Sequence, residues 1–305
     1  MSCASDTLSV LIQFTKDWKN KEIKSLLSEA WGFKMNLDKL TEDIGGAGGE
    51  ETEKESEEED YVSKREKEGN IEYAITYCPK TNSALVMDRK FKSDDFTIRA
   101  SGYLFQDNQV LVDEKSDTFW SQMLIKCIKG KYAGEHINTF NYVETKWSTV
   151  KEFFPNAMVF TNTSVVSKNS NPNTKKDNLV KGSRTYGIID LKFKQTKRAH
   201  LFHFDDSAEN IKLNTVRISG EEVIVIKSKE KHFITSYIND TNVYFKAIQD
   251  AFPAVMEDSN SNKWNVFGIA TSGPRKGEQL KSLPSFFALD WAWENFYDDI
   301  VFSEQ

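Results

Sequence analysis

With 305 residues, 39% hydrophobic and 12% aromatic, the chain carries enough apolar mass for a core, which excludes wholesale disorder. No run approaches the roughly 18 uninterrupted apolar residues of a membrane helix, and the opening MSCASDTLSVLIQFTKDWKNKE lacks an export signal's basic region, apolar run and cleavage site. Three distant cysteines, Cys3, Cys78 and Cys127, suit neither a disulfide framework nor a zinc knuckle, so a reducing cytoplasmic or nuclear setting is expected.

At the N-terminus, Leu11, Phe14 and Trp18, then Ile23, Leu26, Leu27, Ala30 and Trp31, recur at helical spacing and predict two amphipathic helices. Thr41 to Glu66 has almost nothing to bury and reads as an acidic disordered insert. Its eleven carboxylates against three bases give −8. Since the whole chain is −6, the remainder is +2, and the acidity belongs to the insert and not to the fold. Within it, Ser56 precedes Glu57, Glu58, Glu59 and Asp60, the surroundings an acid-directed kinase favours, and is a phosphorylation candidate.

After the insert, IEYAITYC and ALVMDRKF flank a turn, as do DFTIRASGYLF and QVLVDE, which predicts two hairpins. A helix is predicted from Asp117 to Lys129, capped by Ser116, with Phe119, Met123 and Cys127 beside Trp120, Leu124 and Ile128 on a broad face. Strands are predicted in NAMVFTNTSVV, TYGIIDLKFK, AHLFHF, EEVIVIKS, KHFITSY and KWNVFGIAT. A further helix is expected from Asn242 to Phe252, stopped by Pro253, and a final one from near Pro284 with Phe286, Leu289, Trp293, Phe296 and Ile300 on one face.

No internal repeat of fixed period is visible. The predicted class is α+β: largely antiparallel sheet with N-terminal helices, two internal helices and a C-terminal helix packed on the sheet. One folded body over residues 1–305 is expected, or two intimately packed halves of about 1–150 and 151–305.

Two acid-x-Lys tripeptides lie on strand-like runs, Glu144-Thr145-Lys146 and Asp190-Leu191-Lys192, where metal-dependent nucleases set a carboxylate beside a charge-stabilising lysine. With 46 acids and 40 bases in 305 positions, about six such tripeptides arise by chance, so the pairs are weak candidates. The most basic stretch, Lys175 to Arg198, is +6. Its Lys175, Lys176, Lys181, Arg184, Lys192, Lys194, Lys197 and Arg198, with interleaved aromatics, are candidates for contacts to single-stranded nucleic acid. Arg275 and Lys276, in Ser272 to Gly277, are candidate anion holders.

His200 and His203 point to opposite faces of a strand, and His136 and His232 are isolated, so no metal site is predicted. No phosphate loop, dinucleotide fingerprint or zinc-protease motif is present, and no cofactor is expected. The expectation is a non-catalytic interaction protein with an acidic regulatory insert and a protein partner; the alternatives are nucleic-acid binding and a metal-dependent nuclease.

Overall fold

The computed structural model describes residues 8–12, 24–27, 63–68, 71–155, 157–160, 182–193, 197–204, 209–240 and 243–302. Two compact units are distinguished: a larger one, Met1–Ala30 with Phe140–Gln305, and a smaller one, Trp31–Thr139. Both are mostly β, which overturns the predicted α+β class. Among the described residues there are only two helices, each of seven residues.

The chain opens with β1 (Leu8–Ile12) and β2 (Lys24–Leu27), antiparallel with Ser9 opposite Leu27. Leu11, Leu26 and Leu27 therefore sit on strands and not on the predicted helices. Phe14, Trp18, Ile23, Ala30 and Trp31 lie outside the described residues, as does the insert from Thr41 to Val62 with Ser56. The insert's last four residues, Ser63 to Glu66, belong to a strand, β3 (Ser63–Glu68).

In the smaller unit, β3, β4 (Ile71–Cys78) and β5 (Ser83–Asp88) form an antiparallel meander, the second pair being the predicted hairpin. A short ribbon follows, β6 (Lys90–Phe91) with β7 (Asp94–Asp95). Then β8 (Ile98–Phe105), β9 (Asn108–Asp113), β10 (Thr118–Ser121) and β11 (Lys126–Lys129) make a sheet in the order β11-β10-β9-β8. This replaces the helix predicted over Asp117 to Lys129. Asp117 and Ile125 both have positive φ, 49° and 52°, which a helix cannot contain. The Asp113 carboxylate instead accepts the N–H groups of Thr97 and Ser116 and pins the chain into a turn. Short apolar runs buried on both strand faces mimic helical spacing, and here Trp120, Met123, Ile125 and Cys127 are all buried.

In the larger unit, β12 (Val143–Lys146) runs directly into the first helix, α1 (Trp147–Phe153). With β13 (Met158–Phe160) it completes a sheet in the order β12-β1-β2-β13. Next come β14 (Arg184–Asp190) and β15 (Arg198–Phe202), then a meander of β16 (Lys212–Ile218), β17 (Glu221–Ser228) and β18 (Phe233–Ile238). The helix predicted over Asn242 to Phe252 is instead β19 (Phe245–Ala247) and a turn through Asp250 with φ 53°. Tyr244, within that predicted helix, is 79% exposed. β19 pairs with β20 (Ala254–Asp258), which pairs with β21 (Lys263–Asn265).

The predicted final helix is divided among β22 (Ser285–Leu289), α2 (Asp290–Phe296) and β23 (Asp299–Phe302). β22 and β23 flank β14 and β15 in one sheet, and Gly187 of β14 lets Trp293 of α2 lie against the backbone. A Cβ there would meet the indole at 2.4 Å. On the other face Tyr186, Ile188, Phe202 and Phe287 pack against Val223, Val225 and Ile234 of the meander.

The two units contain one substructure twice. In both meanders the second hairpin turns through a left-handed residue, Asn82 or His232, and closes with Cys78 opposite Ser83 or Ser228 opposite Phe233. A bond from Arg89 N–H to Glu72 C=O is repeated from Asn239 to Glu222. Further on, Asp117 and Ser261 share positive φ, a fully buried tryptophan follows at 120 or 264, and the pattern of backbone bonds recurs. Ile125 N–H to Gln122 C=O matches Gly268 to Asn265, and Cys127 to Glu135 matches Ala270 to Glu278. Gly134 to Cys127 matches Gly277 to Ala270, and Ile137 to Ile125 matches Leu280 to Gly268. Gly130 and Gly273 approach equivalent neighbours, Thr118 and Asn262. The spacing between copies drifts from 150 residues in the meander to 143 after the tryptophan, which is why no fixed period is visible in the sequence.

Candidate functional site

Asp190 and Lys192 do not form the expected carboxylate and lysine pair. β14 ends at Asp190, and that buried carboxylate accepts the N–H groups of Lys192 and Phe193, 3.1 and 3.0 Å, and the Ser219 hydroxyl. These are the bonds of a turn cap. Lys192 reaches away to Glu221, 2.6 Å, at the surface.

Of the proposed nucleic-acid contacts, Lys175, Lys176, Lys181 and Lys194 lie outside the described residues. Arg198 is held on Asp299, 2.6 Å, and its guanidinium lies over the Phe193 ring. The Lys197 carbonyl accepts N–H bonds from Asp298 and Asp299, which ties it to the start of β23. Arg275 covers Trp264 and bonds Glu278, 2.8 Å, while Lys276 closes the adjoining turn through its N–H. The candidate anion loop is thus the recurrent turn of the duplicated unit.

Glu144 and Arg184, from two separate proposals, meet. Strand alternation turns both side chains into the larger unit, and Arg184 Nη2 donates to Glu144 Oε2 at 2.7 Å. Glu144 Oε1 is buried and closes no hydrogen bond among the described residues. Burial raises the Glu144 pKa above the usual carboxylate range, against the lowering pull of Arg184. Tyr142 lies against the same carboxylate, and burial and then that charge push its pKa well up. Further in, Tyr186, raised to about 12 by burial, bridges Ser236 and Ser285 through its hydroxyl.

Above this polar file stands a column of stacked planes. His232 stacks on Phe204 (4.9 Å), Phe204 on Phe287 (6.0 Å), and the Arg184 guanidinium lies over Phe287 (5.2 Å). The column is fastened to β12 and α1 because the Thr145 and Thr149 hydroxyls donate to the Lys231 carbonyl, at 2.5 and 3.4 Å. Burial, then the positive charges of Lys146 and Arg184, hold His232 down to about 4, so it is neutral at physiological pH. The sequence offered Phe204 only as an aromatic adjacent to the basic stretch, and His232 only as an isolated histidine. Both are delivered by turns that only the tertiary arrangement brings together.

A second feature lies in the smaller unit. Tyr103 on the edge strand β8 is 62% exposed; its ring meets Phe119 of β10 at 6.2 Å, and the Lys129 ammonium of β11 lies over Phe119 at 5.0 Å. Lys129 forms no ion pair with any described residue, and Phe105, on β8 with Tyr103, is also exposed. In the predicted helix Phe119 lies on a broad face with Met123 and Cys127; in the structure it is on β10. Among the described residues no group of three or more His, Cys, Asp or Glu side chains is placed to hold a metal, and no helix is long and apolar enough to cross a membrane.

A family model described as "Protein of unknown function (DUF3179)" matches residues 65–300, which is most of the chain. No curated protein and no solved structure matches it.

Proposed function

The chain belongs to the DUF3179 family, and we propose that it is a non-catalytic interaction protein that engages an acidic protein partner through the Tyr103, Phe119 and Lys129 face. The observation that carries this reading is Tyr103, 62% exposed on a sheet edge beside Phe119 and Lys129. Rigid aromatic side chains with an adjacent cation are the usual anchors of a protein interface, and Lys129 favours a partner that supplies carboxylates. The acidic stretch from Thr41 to Glu66, which leads into β3 of the same unit, is proposed to tune access of that partner by charge.

Asp190 and Glu144 support this reading over the nuclease because each is engaged in a structural bond, in a turn cap and an arginine pair. The test is affinity capture from the native cell extract with intact protein and with Tyr103→Ser, with and without nuclease treatment. A nuclease-resistant protein partner is expected, weakened about tenfold or more by the substitution, the scale of an interface anchor. Equal capture by both forms, or metal-dependent turnover abolished by Asp190→Ala or Glu144→Ala, would overturn it.

A further inference from the structure

We propose that His203 is a covalent modification site whose Nε2 takes up an acyl group from an activated ester. This goes beyond the docking reading, whose residues lie in the smaller unit, and neither depends on the other. The four histidines of the chain differ in what their rings touch. His200 is buried, His232 is half-buried in its stack on Phe204, and the exposed His136 ring is hydrogen-bonded to the backbone of Ile125 and Leu124. His203, which follows the last residue of β15, is exposed, and among the described residues only its Nδ1 makes a hydrogen bond.

That bond fixes the tautomer. Thr185 of β14 is fully buried and donates its one hydroxyl proton to Oδ1 of Asp290, the first residue of α2. With that proton committed, Thr185 Oγ1 accepts from His203 Nδ1, 3.2 Å away. The ring therefore carries its proton on Nδ1 and a lone pair on Nε2. Since Nδ1 is directed at a buried hydroxyl, the exposed edge of the ring is the one that bears Nε2.

The file from Asp290 through Thr185 to His203 is also held in place. The Asp290 N–H donates to the Ser183 carbonyl and the Trp293 indole N–H to the Thr185 carbonyl, both at 3.1 Å, which ties α2 to β14. The His203 ring lies parallel to that of Phe302, with centroids 6.0 Å apart and 9° between planes. A carboxylate and a hydroxyl behind an imidazole orient it, polarise its N–H and push electron density to the far nitrogen, as in an activated nucleophile. Phe302, 57% exposed, adds an apolar face beside the ring. No described lysine or arginine side chain bonds to the Thr185 hydroxyl, the Asp290 carboxylate or the His203 ring, which favours an uncharged acyl group over a phosphoryl group.

In the step, the Nε2 lone pair attacks the ester carbonyl carbon. The bond from that carbon to the leaving oxygen breaks, and the oxygen departs as an oxyanion with the bonding pair. The Nδ1 proton passes to Thr185 Oγ1 as the hydroxyl proton passes to Asp290, which leaves a neutral N-acyl imidazole and a protonated carboxyl.

The experiment treats the full chain with para-nitrophenyl acetate, following phenolate release and mapping the acetylated histidines by mass spectrometry at early times. His203 is expected to react at least about tenfold faster than His136, and His203→Gln should remove the fast phase. Thr185→Val should slow it at least about tenfold, whereas Thr185→Ser, which keeps the hydroxyl, should restore it, a rescue that separates positioning from packing. Nitrogen NMR of the unmodified protein should show the His203 proton on Nδ1, a readout that requires no variant to fold. Three results would each overturn the proposal: acetylation of His203 no faster than that of His136, an unchanged rate in Thr185→Val, or a His203 ring protonated on Nε2 alone.

Discussion

The smaller unit's copy of the duplicated substructure carries Thr76 and Ser83 where the larger unit's carries Ile226 and Phe233. In the first, the Gln122 side chain ties the inner face together. It accepts from Ser83 and Asn108 at 3.0 Å and donates to Thr76 at 3.0 Å, with Thr81 bridging Ser83 and Asn108. In the second, Phe233 packs on Phe252 at 5.7 Å within a cluster of Val255, Met256 and Trp264. One backbone thus accepts either core: the side chains around Gln122 satisfy one another in the first, and apolar side chains pack together in the second. What the copies share are the devices that shape the chain, namely the left-handed turn residues, the buried tryptophan and the glycine that follows it.

The hardest test of that equivalence is at the tryptophans. Trp120→Ala and Trp264→Ala should each cost about 3–5 kcal/mol by denaturant unfolding, and the two costs should agree within about 1 kcal/mol. Hydrogen exchange should place the first loss in the smaller unit and the second in the larger. A large disparity would mean that the two cores are not comparable in energy.

Smaller effects are expected at the paired glycines. A Cβ on Gly130 would meet Thr118 at 2.8 Å, and one on Gly273 would meet Asn262 at 2.4 Å, both at positive φ. Alanine at either should cost about 2–4 kcal/mol through overpacking and backbone strain. Gly134 and Gly277 have the same φ sign but open space. Alanine there should cost only about 1–2 kcal/mol, from backbone strain alone. Equal losses at all four positions would show that the close approach contributes nothing.

The smallest effect distinguishes the copies at one turn position, Asn82 against His232. His232 is held at about 4, below its ordinary 6.5. Between those values the unfolded chain binds the proton and the folded chain resists it. Stability from the neutral ring is therefore complete above about 6.5 and is lost as pH falls toward 4. His232→Asn should flatten the dependence of Tm on pH in that window and leave Tm at pH 8 nearly unchanged; an unaltered slope would assign the acid sensitivity elsewhere. Glu144, with its pKa raised, has the opposite sign, its contribution declining as pH rises through its folded-state value.

At the candidate site, sequence reading had separately named Glu144, as a metal carboxylate, and Arg184, as a phosphate contact. It had no means of joining residues forty apart on different sheets; it set His232 aside as isolated and did not single out Tyr103. Asp190 illustrates the same limit: alternation along a strand predicts an outward carboxylate, but the strand stops at Asp190 and the side chain turns back to cap the next residues.

The residues alone determined where the chain alternates and turns. The hairpins of β4 with β5 and of β8 with β9, and the strands β14, β15, β17 and β18, are legible because a two-residue period bounded by turn formers is a local property. The insert's charge, too, is a matter of counting. Tertiary structure decided the rest. Strands buried on both faces show apolar residues at every spacing, including the helical one, and only ladder partners settle which period the backbone obeys. The duplication was hidden for a related reason: it is conserved in turn angles and backbone bonds, while the side chains between them were free to become either a polar network or an aromatic core.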